Sequence, residues 1–277
     1  MMLHFKKIIK HIFMRIKNFL FILFFTPSIY VLADPELNKL LDEAQKLKEK
    51  GEEDDAVDVY KEILKKYDLT LLDKTILFDI RKYLAYYYFS NEKYPEAQNY
   101  FSLLVRDSSI KGDELQDAVY KLCSSIYSQL PSRAEVDLNM CYELRNAFCT
   151  FSKYVKDKKI LNHMEEMYKE ALSLVDEKKC LFAEYYFNEG HYPQALYLCD
   201  KYLMDMRDSG YTKRLLVLKL KTLTVLTDFI KGLKFFEDIK SQYRDIYLSN
   251  KKEFENLYSE FKQTWERRRA KMRKMKN

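Results

Sequence analysis

The strongest constraint on this chain is a spacing. Ala44 and Ala56, Ala85 and Ala97, and Ala183 and Ala195 are pairs of small residues, each pair twelve positions apart. The second Ala of each pair is followed by a matching set. Tyr60 and Ile63 follow Ala56, Phe101 and Leu104 follow Ala97, and Cys199 and Tyr202 follow Ala195. Two copies are close to the same text: "YYFSNEKYPEA" at 87–97 and "YYFNEGHYPQA" at 185–195 share six of eleven residues in register. Small residues at this spacing fit two helices folded back on each other. A small side chain at the crossing lets the backbones approach, and large ones fill the space around it. Pro95 and Pro193 then open the second helix of a pair, where a missing N–H costs nothing. Each should hold the Tyr before it outside the helix.

A fourth copy has Leu220 and Gly232 at the paired positions, with Phe236 and Ile239 following. A fifth, between 113 and 156, keeps only the helical pattern, with Leu144, Phe148 and Phe151 on its second helix. The copies are unevenly spaced, and the middle holds a long loop around "QLPSRAEVD". After it, no breaker occurs from Leu161 to Glu189, which predicts one long helix. Asp34 and Pro35 read as an N-cap and first helical residue. Breaks are expected near 51, 68–70, 91–94, 108–112, 131–134, 156–160, 207–212, 227–229 and 248–251. Only five Gly and five Pro occur in 277 residues. That scarcity of turn formers favours an all-α chain over sheets. Each helix pair leaves an apolar face that only a neighbouring pair covers, so the expected architecture is a helical solenoid of about five pairs. Over 37–70, 78–111 and 176–209 the pattern resembles the tetratricopeptide repeat.

The formal charge of +6 is unevenly placed. Residues 1–33 contribute +5 and residues 267–277 contribute +7, which leaves −6 for residues 34–266. A mildly acidic body argues against nucleic-acid binding, which concentrates positive charge on the fold. Residues 1–33 run from a basic stretch through "FLFILFF" to "YVLAD". This is the form of a signal peptide with cleavage between Ala33 and Asp34; Met14 would be an alternative start, and an uncleaved anchor the alternative reading. The apolar run is shorter than a spanning helix needs. The expected product is an exported periplasmic protein of one body, 34–266, with a basic tail, 267–277. The five cysteines lack C-x-x-C spacing. Cys123, Cys180 and Cys199 fall in apolar helical patterns and read as small buried hydrophobes, with one or two bridges the alternative in an oxidising compartment.

No catalytic, cofactor or metal constellation emerges. The four histidines are scattered, and the acids fall on solvated helix faces, so the chain reads as non-enzymatic. The repeat frame instead points to an inner groove lined by first-helix residues that do not pack. These are Leu41 and Gln45, with Asn38 and Lys48, in the first copy. The second copy supplies Asp79, Lys82, Tyr86 and Phe89, and the later copy Glu184, Phe187 and Asn188. Exposed Tyr86, Phe89 and Phe187 would suit an extended, aromatic-rich peptide; equally, the three rings could pack on an adjacent helix. The basic tail, with Arg267, Arg268, Arg269, Lys271, Arg273 and Lys274, reads either as a solvated helix end or as a dock for anionic lipid or an acidic partner. Trp265 should close the last helix against the body.

Three stretches carry a wider resemblance: "AVYKLCSSIYSQLPSRAEVD", "FSKYVKD" and "EALSLVDEKKCLFAEYYFNEGHYPQALYLCDKYL". In order and spacing, from about Leu37 to Tyr243, they resemble the outer-membrane assembly lipoprotein (BamD/YfiO) family of five-repeat tetratricopeptide proteins. The resemblance implies a scaffold at the outer membrane that holds the BamA-type barrel insertase and receives unfolded barrel segments. The chain departs from the family at the lipobox, where Asp34 stands in place of the first mature Cys, and "YP" is absent at the close of several repeats. The alternative is a periplasmic tetratricopeptide adaptor of the CpoB kind in cell-envelope coordination. A third reading, a cytosolic secretion chaperone, would require residues 1–33 to stay uncleaved.

Overall fold

A computed structural model describes residues 34–206 and 209–275. The expected signal segment, with its cut after Ala33, lies outside the described residues. The described residues form twelve α-helices, one short 3-10 turn and no strand. They divide into two compact units. The first comprises residues 34–128 with 151–160; the second comprises 129–150 with the chain from 161 onward.

In the first unit, α1 (Pro35–Lys50) pairs with α2 (Glu53–Lys66), and α3 (Lys74–Ser90) pairs with α4 (Tyr94–Leu104). Then α5 (Gly112–Tyr127) packs on α4. Local chemistry sets the starts. The Asp34 carboxylate accepts from the N–H of Glu36 at 2.9 Å, and the Asp73 carboxylate accepts from the N–H of Thr75 at 2.8 Å. Those bonds satisfy donors that a helix start would otherwise leave open. On α2, Glu53, Asp54 and Asp55 fill the first turn and Lys65 and Lys66 the last, both matched to the helix dipole. The core holds Ile63, Leu84, Phe101 and Leu104.

In the second unit, α6 (Asn139–Phe151) stacks Phe148 on Tyr168 of α7 (Lys158–Asn188), with ring centroids 4.6 Å apart. Helix α7 is the long breakerless helix read from the sequence, 31 residues in length. After it come α8 (Tyr192–Asp205), α9 (Thr212–Leu226), α10 (Phe229–Gln242), α11 (Arg244–Ser249) and α12 (Lys251–Lys274). Their core joins Cys199, Leu215, Leu220, Phe236 and Phe254. The pair expected between 113 and 156 is not a self-contained unit: α5 belongs to the first unit and most of α6 to the second. The break at Tyr243, between α10 and α11, carried no Gly or Pro to announce it.

The twelve-residue frame is a packing frame. Ala44, Ala56, Ala85, Ala97, Ala183 and Ala195 are each 0% exposed, as is Leu220, and Gly232 is buried. Five residues before each second small residue, the backbone turns left-handed: Gly51 (φ 81°), Glu92 (57°), Gly190 (78°) and Thr227 (56°). At the first three turns, the next N–H reaches back to a carbonyl five residues earlier. The bonds are Glu52 to Leu47 (2.9 Å), Lys93 to Tyr88 (2.9 Å) and His191 to Tyr186 (2.8 Å). This is a Schellman closure, which needs one left-handed residue after the helix. The proline expectation shifts by one residue. Tyr94 and Tyr192 are the first helical residues, and the non-helical position falls to Lys93 and His191. Proline loses nothing at the second position either, since the first four N–H groups of a helix have no intrahelical partner.

The basic stretch is continuous with the body, because α12 carries it as far as Lys274. Among the described residues, no helix is long and apolar enough to cross a membrane. The cysteines are unbridged; Cys123, Cys141, Cys180 and Cys199 are buried and Cys149 is exposed.

Candidate functional site

The largest concentration of predicted site residues lies in the first unit. Helix α1 contributes Leu41, Gln45 and Lys48, spaced i, i+4, i+7. Helix α3 contributes Asp79, Lys82, Tyr83 and Tyr86, spaced i, i+3, i+4, i+7. Each spacing is one helix face. Together with Tyr60 of α2 and Ile76 and Ile80 of α3, they line a groove of ≈ 610 Å³. A volume of this order is that of a ligand cleft rather than a packing defect.

Its walls are tyrosine rings. Tyr60 and Tyr83 meet at 5.1 Å with planes tilted 56°. The Lys48 ammonium lies 4.7 Å from the Tyr83 ring centroid, within cation–π range. The Tyr86 hydroxyl donates to the Asp117 carboxylate of α5 at 2.5 Å. Lys121 pairs with that same carboxylate at 2.8 Å and lies 5.3 Å from the Tyr86 ring. Lys82 pairs with Glu114. Of the charged residues that line the groove, Lys82 is ion-paired and Lys48 lies over the Tyr83 ring, beside Leu41, Ile76 and Ile80, so its character is amphipathic. The Tyr83 hydroxyl is buried and has no hydrogen-bond partner among the described residues. An unmet buried hydroxyl is costly.

Burial, then the charges of Glu53 and Asp54 and the Tyr60 hydroxyl, pushes Tyr83 up to about 12. Burial first, and the bond to Asp117 second, raises Tyr86. Burial and the Asp79 charge raise Tyr60. All three stay phenols at neutral pH and present uncharged ring faces.

The remaining predicted groove residues go elsewhere. Phe89 packs edge-on against Tyr94 (6.1 Å) and Phe101 (6.0 Å). Phe187 packs edge-on against Tyr192 (5.4 Å). Both are half-buried and touch the Tyr that opens the next helix. Asn188 is exposed at the end of α7. Glu184 lines a separate ≈ 430 Å³ pocket in the second unit. There it grips Arg214 with both carboxylate oxygens, at 2.6 and 2.5 Å, in the forked geometry that favours Arg–carboxylate pairs. Within the first unit Tyr86 lines the groove and Phe89 does not.

Sequence reasoning missed Tyr60, Ile76, Ile80 and Tyr83. Tyr83 had a signal, since 79, 82, 83 and 86 form one stripe. Tyr60, in the matching set after Ala56, reads as a packing residue, and it serves both roles. In the second unit Trp265 stacks on Phe229 at 4.0 Å and closes α12 against α10, as expected of it. Arg267, Arg269, Lys271, Arg273 and Lys274 are exposed, and Arg268 bonds back to the end of α9.

Among the described residues, no group of three or more His, Cys, Asp or Glu side chains is placed to hold a metal ion. No family model matches the chain, and a search of curated proteins returned no significant match.

Proposed function

We propose that this chain is a non-catalytic, exported scaffold of tetratricopeptide-repeat type, whose first-unit groove holds an extended segment of a partner protein. The observation that carries the reading is the convergence of Leu41, Gln45, Asp79, Lys82 and Tyr86, all chosen by repeat frame, in one tyrosine-walled groove. The four left-handed turns at one repeat position favour the repeat assignment. Rigid tyrosine rings offer broad apolar contact area beside the polar Gln45, Asp79 and Lys82, which suits a segment alternating apolar and polar side chains. Such alternation is the pattern of a membrane β-barrel strand. Joined to the resemblance in sequence, this supports a BamD-like role in the periplasm at the outer membrane, with the barrel insertase and unfolded barrel segments as partners.

The test is a crosslinked pull-down from envelope fractions, with the wild-type chain and a Tyr83→Ala/Tyr86→Ala variant of unchanged helicity. Recovery of the barrel insertase or unfolded barrel proteins, lost in the variant, is expected. Recovery of neither, or equal recovery by both chains, would sink the reading.

A further inference from the structure

The last two turns of α12, residues 267–274, carry six Lys or Arg and no acid, and every residue from Glu266 to Met275 is exposed. Two of the six are engaged. Arg268 donates to the Val225 carbonyl at 3.3 Å and to the Thr227 hydroxyl at 3.0 Å. The Arg269 guanidinium lies 5.0 Å from the Trp265 ring. Among the described residues, Arg267, Lys271, Arg273 and Lys274 have no acidic partner. Arg267, Lys271 and Lys274 follow i, i+4, i+7 spacing, a single stripe along the helix. Met275, 81% exposed, flanks this stripe, whereas Met272, 56% exposed, stands one turn beyond Arg268 on the neighbouring face.

We infer that this helix end docks on an anionic phospholipid surface. Like charges one turn apart repel each other, and a plane of phosphates relieves the repulsion without demanding a fixed contact geometry. Met275, at the flank of the stripe, finds the acyl boundary beneath the phosphates, while the long Lys and Arg stems reach back up to the headgroups. A nucleic-acid backbone would neutralise the stripe but offer the exposed Met275 nothing, and the body from 34 to 266 carries −6. Anchoring is local: the Trp265 and Arg268 contacts fix the base of the helix end, so the basic face is presented rather than folded back. The inference is independent of the groove; a vesicle result leaves the peptide reading to its own pull-down.

The experiment is vesicle co-sedimentation of the full chain. Phosphatidylethanolamine vesicles containing phosphatidylglycerol are compared with phosphatidylcholine vesicles, and the readout is the ratio of the two partition coefficients. A Lys271→Gln/Arg273→Gln/Lys274→Gln variant shares the apolar N-terminal stretch, so the difference reads the tail alone. Unchanged Trp265 fluorescence reports that the variant's helix base is intact. The ratio should fall roughly fivefold per charge removed. It should also fall in the wild type when salt is raised to about 0.5 M, where screening is strong. An equal ratio for both chains, or a salt-insensitive one, would overturn the inference. So would retention by a duplex oligonucleotide with no preference for the anionic vesicles, which would reassign the stripe to nucleic acid.

Discussion

Gly232 stands where three other copies place Ala, so restoring the repeat by Gly232→Ala looks stabilising from sequence. Alanine gains about 1 kcal/mol over glycine inside a helix. The structure reverses the sign. A Cβ built at Gly232 would lie 2.2, 2.6 and 2.8 Å from three ring carbons of Phe261. Ordinary contact needs more than 1 Å of additional separation, and the ring has little room to give. Phe261 is 1% exposed and sits between Phe229 at 5.6 Å and Tyr258 at 6.3 Å, the latter itself stacked on Phe236 at 3.9 Å. Overpacking of this kind costs about 3 kcal/mol at the upper end of its range. Setting the helix gain against it leaves a net loss of about 2 kcal/mol. Urea unfolding followed by the single tryptophan, Trp265, reads the second unit directly. With a slope of about 2 kcal/mol per molar, the midpoint should fall by about 1 M at unchanged slope. Trimming the ring should relieve the clash. Phe261→Leu combined with Gly232→Ala should therefore be better than the two single losses added, by about 1 kcal/mol or more. A stabilised single variant, or a strictly additive pair, would refute the packing argument.

Glu92→Gly should stabilise the first unit by about 0.5–1 kcal/mol, since glycine carries no side-chain penalty in the left-handed region; a higher thermal midpoint is the readout. Thiol titration should count one fast cysteine, Cys149, in the native chain and five in denaturant; burial pushes Cys123, Cys180 and Cys199 up to about 12 and withholds their thiolates. The Asp228 carboxylate, held below its usual value by hydrogen bonding to Lys231, contributes stability that is present above the unfolded value of ~3.9. That contribution is lost as pH falls through the lower folded value, so Asp228→Asn should flatten the acid limb of a stability–pH curve.

The fold and the site were legible to different depths. The alanine pairs were readable because helix crossing writes directly into residue size at fixed spacing. The stripe on α1 and α3 was readable for the same reason, as a period. The left-handed turns at Glu92 and Thr227 were not, because neither residue type favours that conformation and only the surrounding closure imposes it. Phe89 and Phe187 could not be assigned from spacing, since their fate depends on the Tyr that opens the following helix. Nor did any local pattern tie Phe261 to Gly232, although the empty Cβ position and the ring define each other. The division into units lies furthest from the sequence, because it depends on which helix covers which.

That division has a consequence for synthesis. The carboxamide of Gln116, only 8% exposed, accepts from the N–H groups of Lys156 and Asp157, and 151–160 belong to the first unit although 129–150 do not. The first unit therefore cannot close these hydrogen bonds until the chain has been made through Asp157, with α6 already synthesised. A ribosome emitting this chain finishes its first folding unit only after starting its second. Any fragment meant to isolate the groove should end near 160 rather than at the visible loop after Tyr127.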